Sequence, residues 1–119
     1  MASGAVGGGY YYVAYGIFSV PEHVGRVPIG GGPFEVIYDA TPAEELGLIA
    51  ADATGLYLAH GLASAWAISR LPPSAKAKTE LQDVVTAIPE APQDLALGGT
   101  SLFYTSHDAV FSAPRSPPK

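Results

Sequence analysis

The chain has 119 residues, which is enough for one domain. Hydrophobic residues make up 48% of it and charged residues only 14%, a composition that excludes an intrinsically disordered protein. A formal net charge of −5, with only six scattered basic residues, argues against nucleic-acid binding. Because the chain has no cysteine, disulfide frameworks, thiolate catalysis and cysteine-ligated metal sites are also excluded.

The first nine residues are dominated by glycine, alanine and serine, and we expect residues 1–9 to form a flexible leader. They lack the basic region and continuous apolar core of a secretion signal, so we expect a protein that acts in the cytoplasm or within a particle. A single domain is predicted over residues 10–112. The proline-rich residues 113–119 are predicted to form an extended tail.

Two strands are predicted after the leader. Residues 10–20 (YYYVAYGIFSV) are rich in aromatic and β-branched residues, and residues 34–39 (FEVIYD) alternate in character. Between them, prolines and a glycine run at 30–32 indicate a loop. An anion-binding loop requires a helix after its glycines, whereas a strand follows here, so the run favours a tight turn.

A long helix is predicted over residues 41–70. Thr41, Pro42 and Glu44 match a capping box with proline at the first helical position. Pro72 and Pro73 mark its end, because proline cannot continue a helix. Glycines within the segment weaken the helix and indicate possible kinks.

This helix is apolar on nearly every side, because Asp52 and His60 are the only strongly polar residues between positions 46 and 68. Such a helix lies inside a large protein, in a membrane or against other subunits. Alanine, glycine and Asp52 disfavour a membrane span, and a chain of this length cannot cover the whole helix. We therefore predict burial against other subunits. The predicted interface residues combine small side chains with large anchors, and they are Ala53, Leu56, Tyr57, His60, Gly61, Ala63 and Trp66.

The rest of the chain predicts one more helix and several short strands. An amphipathic helix is predicted over residues 74–87, although the run VVTAI also suits a strand. Residues 95–97, 101–106 and 109–112 are predicted strands, with His107 and Asp108 at a hairpin tip. The predicted fold class is therefore α+β, with a small antiparallel sheet, one long apolar helix and one short amphipathic helix.

No residue pattern indicates catalysis, a cofactor or a metal. His60 is expected to be a buried histidine with a hydrogen-bond partner, and His107 with Asp108 is expected to form a turn rather than a catalytic dyad. The three histidines, at 23, 60 and 107, lack the local spacing of a metal site.

These features favour a non-enzymatic structural or assembly subunit of a larger particle, such as a virion component. It would form homo-oligomers or bind other protein subunits, and it would not bind nucleic acid. Two alternatives stay open. One is a small membrane-associated subunit with the 46–68 helix in or on the bilayer, and the other is a small globular enzyme or ligand-binding domain.

Overall fold

The structure is a computed structural model that describes residues 2–16, 23–39, 45–62, 65–72, 82–106 and 109–114. These residues form eleven β-strands in three antiparallel sheets, and no helix occurs among them. The predicted α+β class is therefore wrong, and the described chain is all-β.

Sheet A contains the first four strands in chain order: β1 (Ala2–Gly7), β2 (Tyr10–Tyr15), β3 (His23–Pro28) and β4 (Glu35–Asp39). Strands β2 and β4 confirm predicted strands, β2 covering the first part of its segment. Strand β1 pairs with β2 along six residues, although its composition is typical of a flexible leader. Strand β3 lies where prolines and glycines indicated a loop. Over residues 23–28 the loop prediction is wrong, because Pro28 stands at the strand end, where a missing N–H is tolerated. Residues 29–34, which include the glycine run, do form a turn and loop.

Sheet B contains β5 (Glu45–Asp52), β6 (Gly55–Leu62), β7 (Ala65–Leu71) and β8 (Gln82–Ile88) in chain order. Three of these strands occupy the segment predicted as one long helix, and β8 covers the end of the predicted second helix. Both helix predictions are wrong for the described residues. The capping box at 41–44 and residues 73–81 lie outside those residues.

Turn chemistry divides the apolar segment into strands. Asp52 pairs with Gly55 across a two-residue loop, and its carboxylate accepts hydrogen bonds from the Thr54 N–H at 2.9 Å and hydroxyl at 2.6 Å. Gly55 has a φ of 135°, which residues with a side chain rarely adopt. At the next hairpin, Leu62 pairs with Ala65. The alanine-rich composition favours a helix locally, but these pairings fold the segment into a meander.

Sheet C contains β9 (Asp94–Gly98), β10 (Ser101–Ser106) and β11 (Ala109–Pro114), with β10 in the centre. These strands confirm the three short strands predicted at the end of the chain. His107 and Asp108, predicted at a hairpin tip, lie outside the described residues.

Sheet B is the middle layer of the molecule, because its two faces contribute to two different cores. Leu56 and Leu58 pack against sheet A, whereas Tyr57 and Ala59 pack against sheet C, as strand alternation requires. The first core contains Tyr12, Ala14, Val24, Ile37, Tyr38, Leu46, Leu56, Leu58 and Leu71. The second contains Tyr57, Ala59, Trp66, Ile68, Ile88 and Leu102. A sheet covered on both faces needs apolar residues at nearly every position, which explains the continuous apolar segment.

Candidate functional site

The residues predicted as a subunit interface are dispersed by the strands. Leu56 packs in the first core, and Tyr57 and Trp66 pack in the second, so these large side chains are covered by the chain itself. Ala53 lies in the exposed turn after β5, and Gly61 is buried in β6. Ala63 lies outside the described residues. The interface prediction for these positions rested on a helix that does not form, and it stays a prediction.

The membrane alternative rested on the same helix. Residues 46–52, 55–62 and 65–68 lie in strands of sheet B instead. No helix with the length and hydropathy to cross a membrane is found in the part of the chain that the structure describes.

His60 belongs to a hydrogen-bond chain across three strands of sheet B. Its Nε2 lies 2.8 Å from the Ser69 hydroxyl oxygen, and that hydroxyl donates to the Asp83 carboxylate at 3.0 Å. The His60 ring also lies edge-on to Tyr38 of sheet A, with centroids 6.1 Å apart. Because the hydroxyl is in the middle and donates to the carboxylate, the histidine does not accept its proton.

This arrangement differs from a catalytic triad, in which the histidine stands between the hydroxyl and the carboxylate. Ser69 is also fully buried, with 0% of its surface exposed, so a substrate cannot reach its oxygen. The hydrogen bonds among His60, Ser69 and Asp83 therefore link strands β6, β7 and β8. Sequence reasoning missed Ser69 and Asp83, because their proximity follows from strand register rather than from any local spacing.

A second polar cluster lies inside sheet A around Arg26, which is only 2% exposed. Its Nε donates to Glu35 at 2.6 Å, and its guanidinium lies over the Tyr10 ring, 4.1 Å from the centroid. Burial acts to lower the pKa of Arg26, but the Glu35 carboxylate, Tyr12 and Tyr10 together outweigh burial, and the net shift is upward. Arg26 therefore stays charged in the interior.

The Tyr12 hydroxyl is buried beside Arg26 and has no hydrogen bond of acceptable geometry among the described residues. Burial raises the pKa of the Tyr12 phenol, and the nearby guanidinium, which acts to lower it, offsets burial only in part. Because Arg26 and Tyr12 are both covered, this cluster orders sheet A and offers no open anion site.

His23 is held at the end of sheet A, where its Nδ1 lies 2.5 Å from the Asp39 carboxylate and its ring lies 5.2 Å from that of Tyr15. His107 cannot be placed, since it is outside the described residues. Within the described ranges, no group of three or more histidine, aspartate or glutamate side chains could hold a metal ion.

Large hydrophobic side chains are exposed on both outer sheets. We define the outer A face as the side of sheet A turned away from sheet B. Its exposed side chains are Val6, Tyr11, Phe34 and Val36, and Ile29 is exposed in the turn after β3. On sheet C, the exposed side chains are Phe103, Val110 and Phe111. Several large hydrophobic side chains exposed on one sheet mark an interaction site more reliably than a single exposed residue does.

A groove with a volume of about 360 Å³ lies between the end of β8 and strands β10 and β11. One wall is formed by the stacked rings of Tyr104 and Phe111, whose centroids lie 5.2 Å apart. The opposite wall contains Ala87, which has a φ of 59°. The described residues that line the groove carry no charge: Thr86, Ala87, Ile88, Pro89, Tyr104, Ala109 and Phe111.

Comparison of the chain with protein-family models, with curated proteins and with solved structures gives no significant match.

Proposed function

We propose that the chain is a non-enzymatic structural subunit that contacts other protein subunits through the apolar faces of its two outer sheets. The distribution of exposed hydrophobic residues is the observation that carries this proposal. Among the described residues, every large hydrophobic side chain that is exposed belongs to sheet A, sheet C or the turns beside their strands. The middle sheet contributes none of them.

This distribution distinguishes apolar side chains that stabilise the fold of the chain from apolar side chains that are left for contact with other subunits. The chain buries the large hydrophobic side chains of sheet B between its own layers, and it still leaves aromatic and branched side chains on the opposite outer faces. A free monomer gains nothing from those exposed rings, whereas a subunit uses them as contact area. The shortage of charged residues, 14% of the chain, fits a surface that is partly covered by other subunits.

The molar mass of the purified chain, measured by light scattering over a wide concentration range, tests this proposal. We expect a mass above the 12.2 kDa of one chain, rising with concentration and retained in high salt, because apolar contacts are not screened. A single species of 12.2 kDa at every concentration, up to millimolar, contradicts the proposal.

The groove beside Tyr104 and Phe111 favours a second candidate function, the binding of a small apolar ligand. Its volume of about 360 Å³ lies within the range of ligand pockets, about 300–1,000 Å³. Titration with a small aromatic dye should then give saturable binding, and Ala109→Trp, which fills the groove, should abolish it. Equal dye binding by the variant and the original chain contradicts a specific groove site.

A further inference from the structure

The outer A face is flattened by two rings that lie over glycines. A Cβ atom at Gly4 would lie 2.5 Å from the Tyr11 hydroxyl oxygen, so the tyrosine side chain covers that glycine. A Cβ atom at Gly25 would collide with the Phe34 ring, which covers the glycine in the same way. Tyr15 lies beside Phe34, with ring centroids 6.0 Å apart. A face built from rings that lie along the sheet suits another flat surface better than it suits an inserted peptide side chain.

The same face carries almost no unbalanced charge. Among its described positions, His23 and Asp39 are the residues that could be charged near neutral pH, and they bond to each other at one end of the sheet. The chain as a whole has a net charge of −5, so two copies repel each other over most of their surfaces. Contact through the outer A face brings together the parts of the two copies that repel each other least.

The size of the face sets the strength of such a contact. Four strands about 4.8 Å apart, three of six residues and one of five, at about 3.4 Å per residue, cover about 400 Å². Two copies face to face therefore bury about 800 Å², which lies in the range of weak, transient interfaces, below about 1,200 Å². A reversible dimer follows from this area, and a permanent one does not.

Resting on the proposed function, we propose that the partner of the outer A face is the same face of a second copy, related by a two-fold axis. A two-fold contact uses one patch twice, so a flat, apolar and nearly neutral patch is complementary to itself. The two A sheets then pack about 10 Å apart, as stacked sheets do, and sheet C of each copy points outward.

Sedimentation velocity over a range of concentrations tests this with two matched lysine variants. Val36→Lys places a charge on the outer A face, and Val110→Lys places the same charge on sheet C. Because Val36 is 46% and Val110 71% exposed, both variants should fold. Circular dichroism checks that they do. For the original chain we expect reversible dimerisation with a dissociation constant of about micromolar or weaker, because interfaces of about twice this area range from micromolar to picomolar. Val36→Lys should weaken it about tenfold or more, because a two-fold contact brings two added charges together, and Val110→Lys should leave it unchanged.

The other outcomes separate this inference from the proposed function. Association that survives Val36→Lys, whether or not Val110→Lys abolishes it, overturns the pairing of the A faces and leaves the structural-subunit proposal standing. An original chain that sediments as a monomer at every concentration overturns both.

Discussion

Tyr12 and Arg26 are paired across β2 and β3, and both are nearly inaccessible to water. Arg26 is compensated by the Glu35 carboxylate and the Tyr10 ring, which together offset the cost of burying a charge. The Tyr12 hydroxyl has no comparable partner among the described residues. A buried hydroxyl without a hydrogen bond costs about 1–3 kcal/mol, so this atom is a weak point in an otherwise satisfied cluster.

Tyr12→Phe should therefore leave the free energy of unfolding at pH 7 unchanged or raise it by about 1 kcal/mol. The pH dependence of stability provides a second test of the same hydroxyl. Burial raises the folded-state pKa of Tyr12 above the unfolded value of about 10. Above pH 10 the unfolded chain therefore loses the phenol proton before the folded chain does. The free energy of unfolding falls as the pH rises from 10 toward the folded-state pKa. The variant should lose less stability than the original chain in this alkaline range, as urea unfolding at pH 7 and above pH 10 can measure.

Tyr11→Phe is the matched control, because Tyr11 is 45% exposed on the outer A face. It should keep the alkaline loss of the original chain. If Tyr12→Phe instead destabilises the protein at pH 7 by more than about 1 kcal/mol, the hydroxyl accepts a stabilising hydrogen bond from the Arg26 guanidinium.

At the scale of elements, local patterns identified the strands whose residues are aromatic or β-branched. Strands β2, β4 and β10 were predicted because tyrosine, phenylalanine and valine concentrate there. The segment from β5 to β7 was not, because alanine and leucine favour a helix when nothing else acts on them. The available signal was Gly55, which a helix tolerates only as a weak point and which closes the turn that begins at Asp52.

The candidate sites were less predictable than the strands. The hydrogen bonds of His60 to Ser69 and of Ser69 to Asp83 join residues on three neighbouring strands. The outer A face likewise combines β1 to β4. Neither can be inferred until strand order and register are known, because a shift of one residue moves a side chain to the opposite face.

Glycine substitutions distinguish a meander from a helix by the sign of their effect. In a helix, Gly55→Ala and Gly61→Ala would each stabilise the protein by about 1 kcal/mol. In the sheet, a Cβ at Gly55 would lie 2.5 Å from the Leu71 carbonyl oxygen, and a Cβ at Gly61 would lie 2.6 Å from the Trp66 Cα. We therefore expect each variant to be destabilised by about 2 kcal/mol or more in urea unfolding.

Gly30→Ala provides the control for these variants. No atom lies within 4 Å of a Cβ built at that glycine, and its change should stay within about 0.5 kcal/mol. Stabilisation by Ala at either position 55 or 61 would support a helix through this segment.

For the whole molecule, the decisive feature is that one sheet supplies both cores. Sheet A and sheet C each leave large hydrophobic side chains exposed on an outer face, whereas sheet B packs one face into each core and exposes no large hydrophobic side chain among the described residues. The chain can therefore be rich in apolar residues over residues 45–71 and still bury most of their large side chains within 119 residues. The segment is apolar because sheet B lies between two other sheets. Contacts with other subunits are therefore expected on the outer sheets.

Substitutions on opposite faces of sheet B test this layering. Leu58 faces sheet A and Ile68 faces sheet C, and both are 0% exposed. Leu58→Ala and Ile68→Ala should each lower the free energy of unfolding by about 2–5 kcal/mol. Val110→Ala, at a position that is 71% exposed, should change it by no more than about 0.5 kcal/mol. A small effect at either Leu58 or Ile68 would mean that one face of sheet B is uncovered.

Backbone proton contacts measured by NMR spectroscopy test the meander most directly. Ala59 and Ile68 are partners across β6 and β7, so we expect nuclear Overhauser contacts between their backbone protons, with similar contacts along Gly61–Trp66 and Leu56–Leu71. In one continuous helix, Ala59 and Ile68 would lie about 14 Å apart, too far for any such contact. Cross-strand contacts at these pairs support the three-layer fold, and an unbroken series of contacts between residues three apart through 45–71 contradicts it.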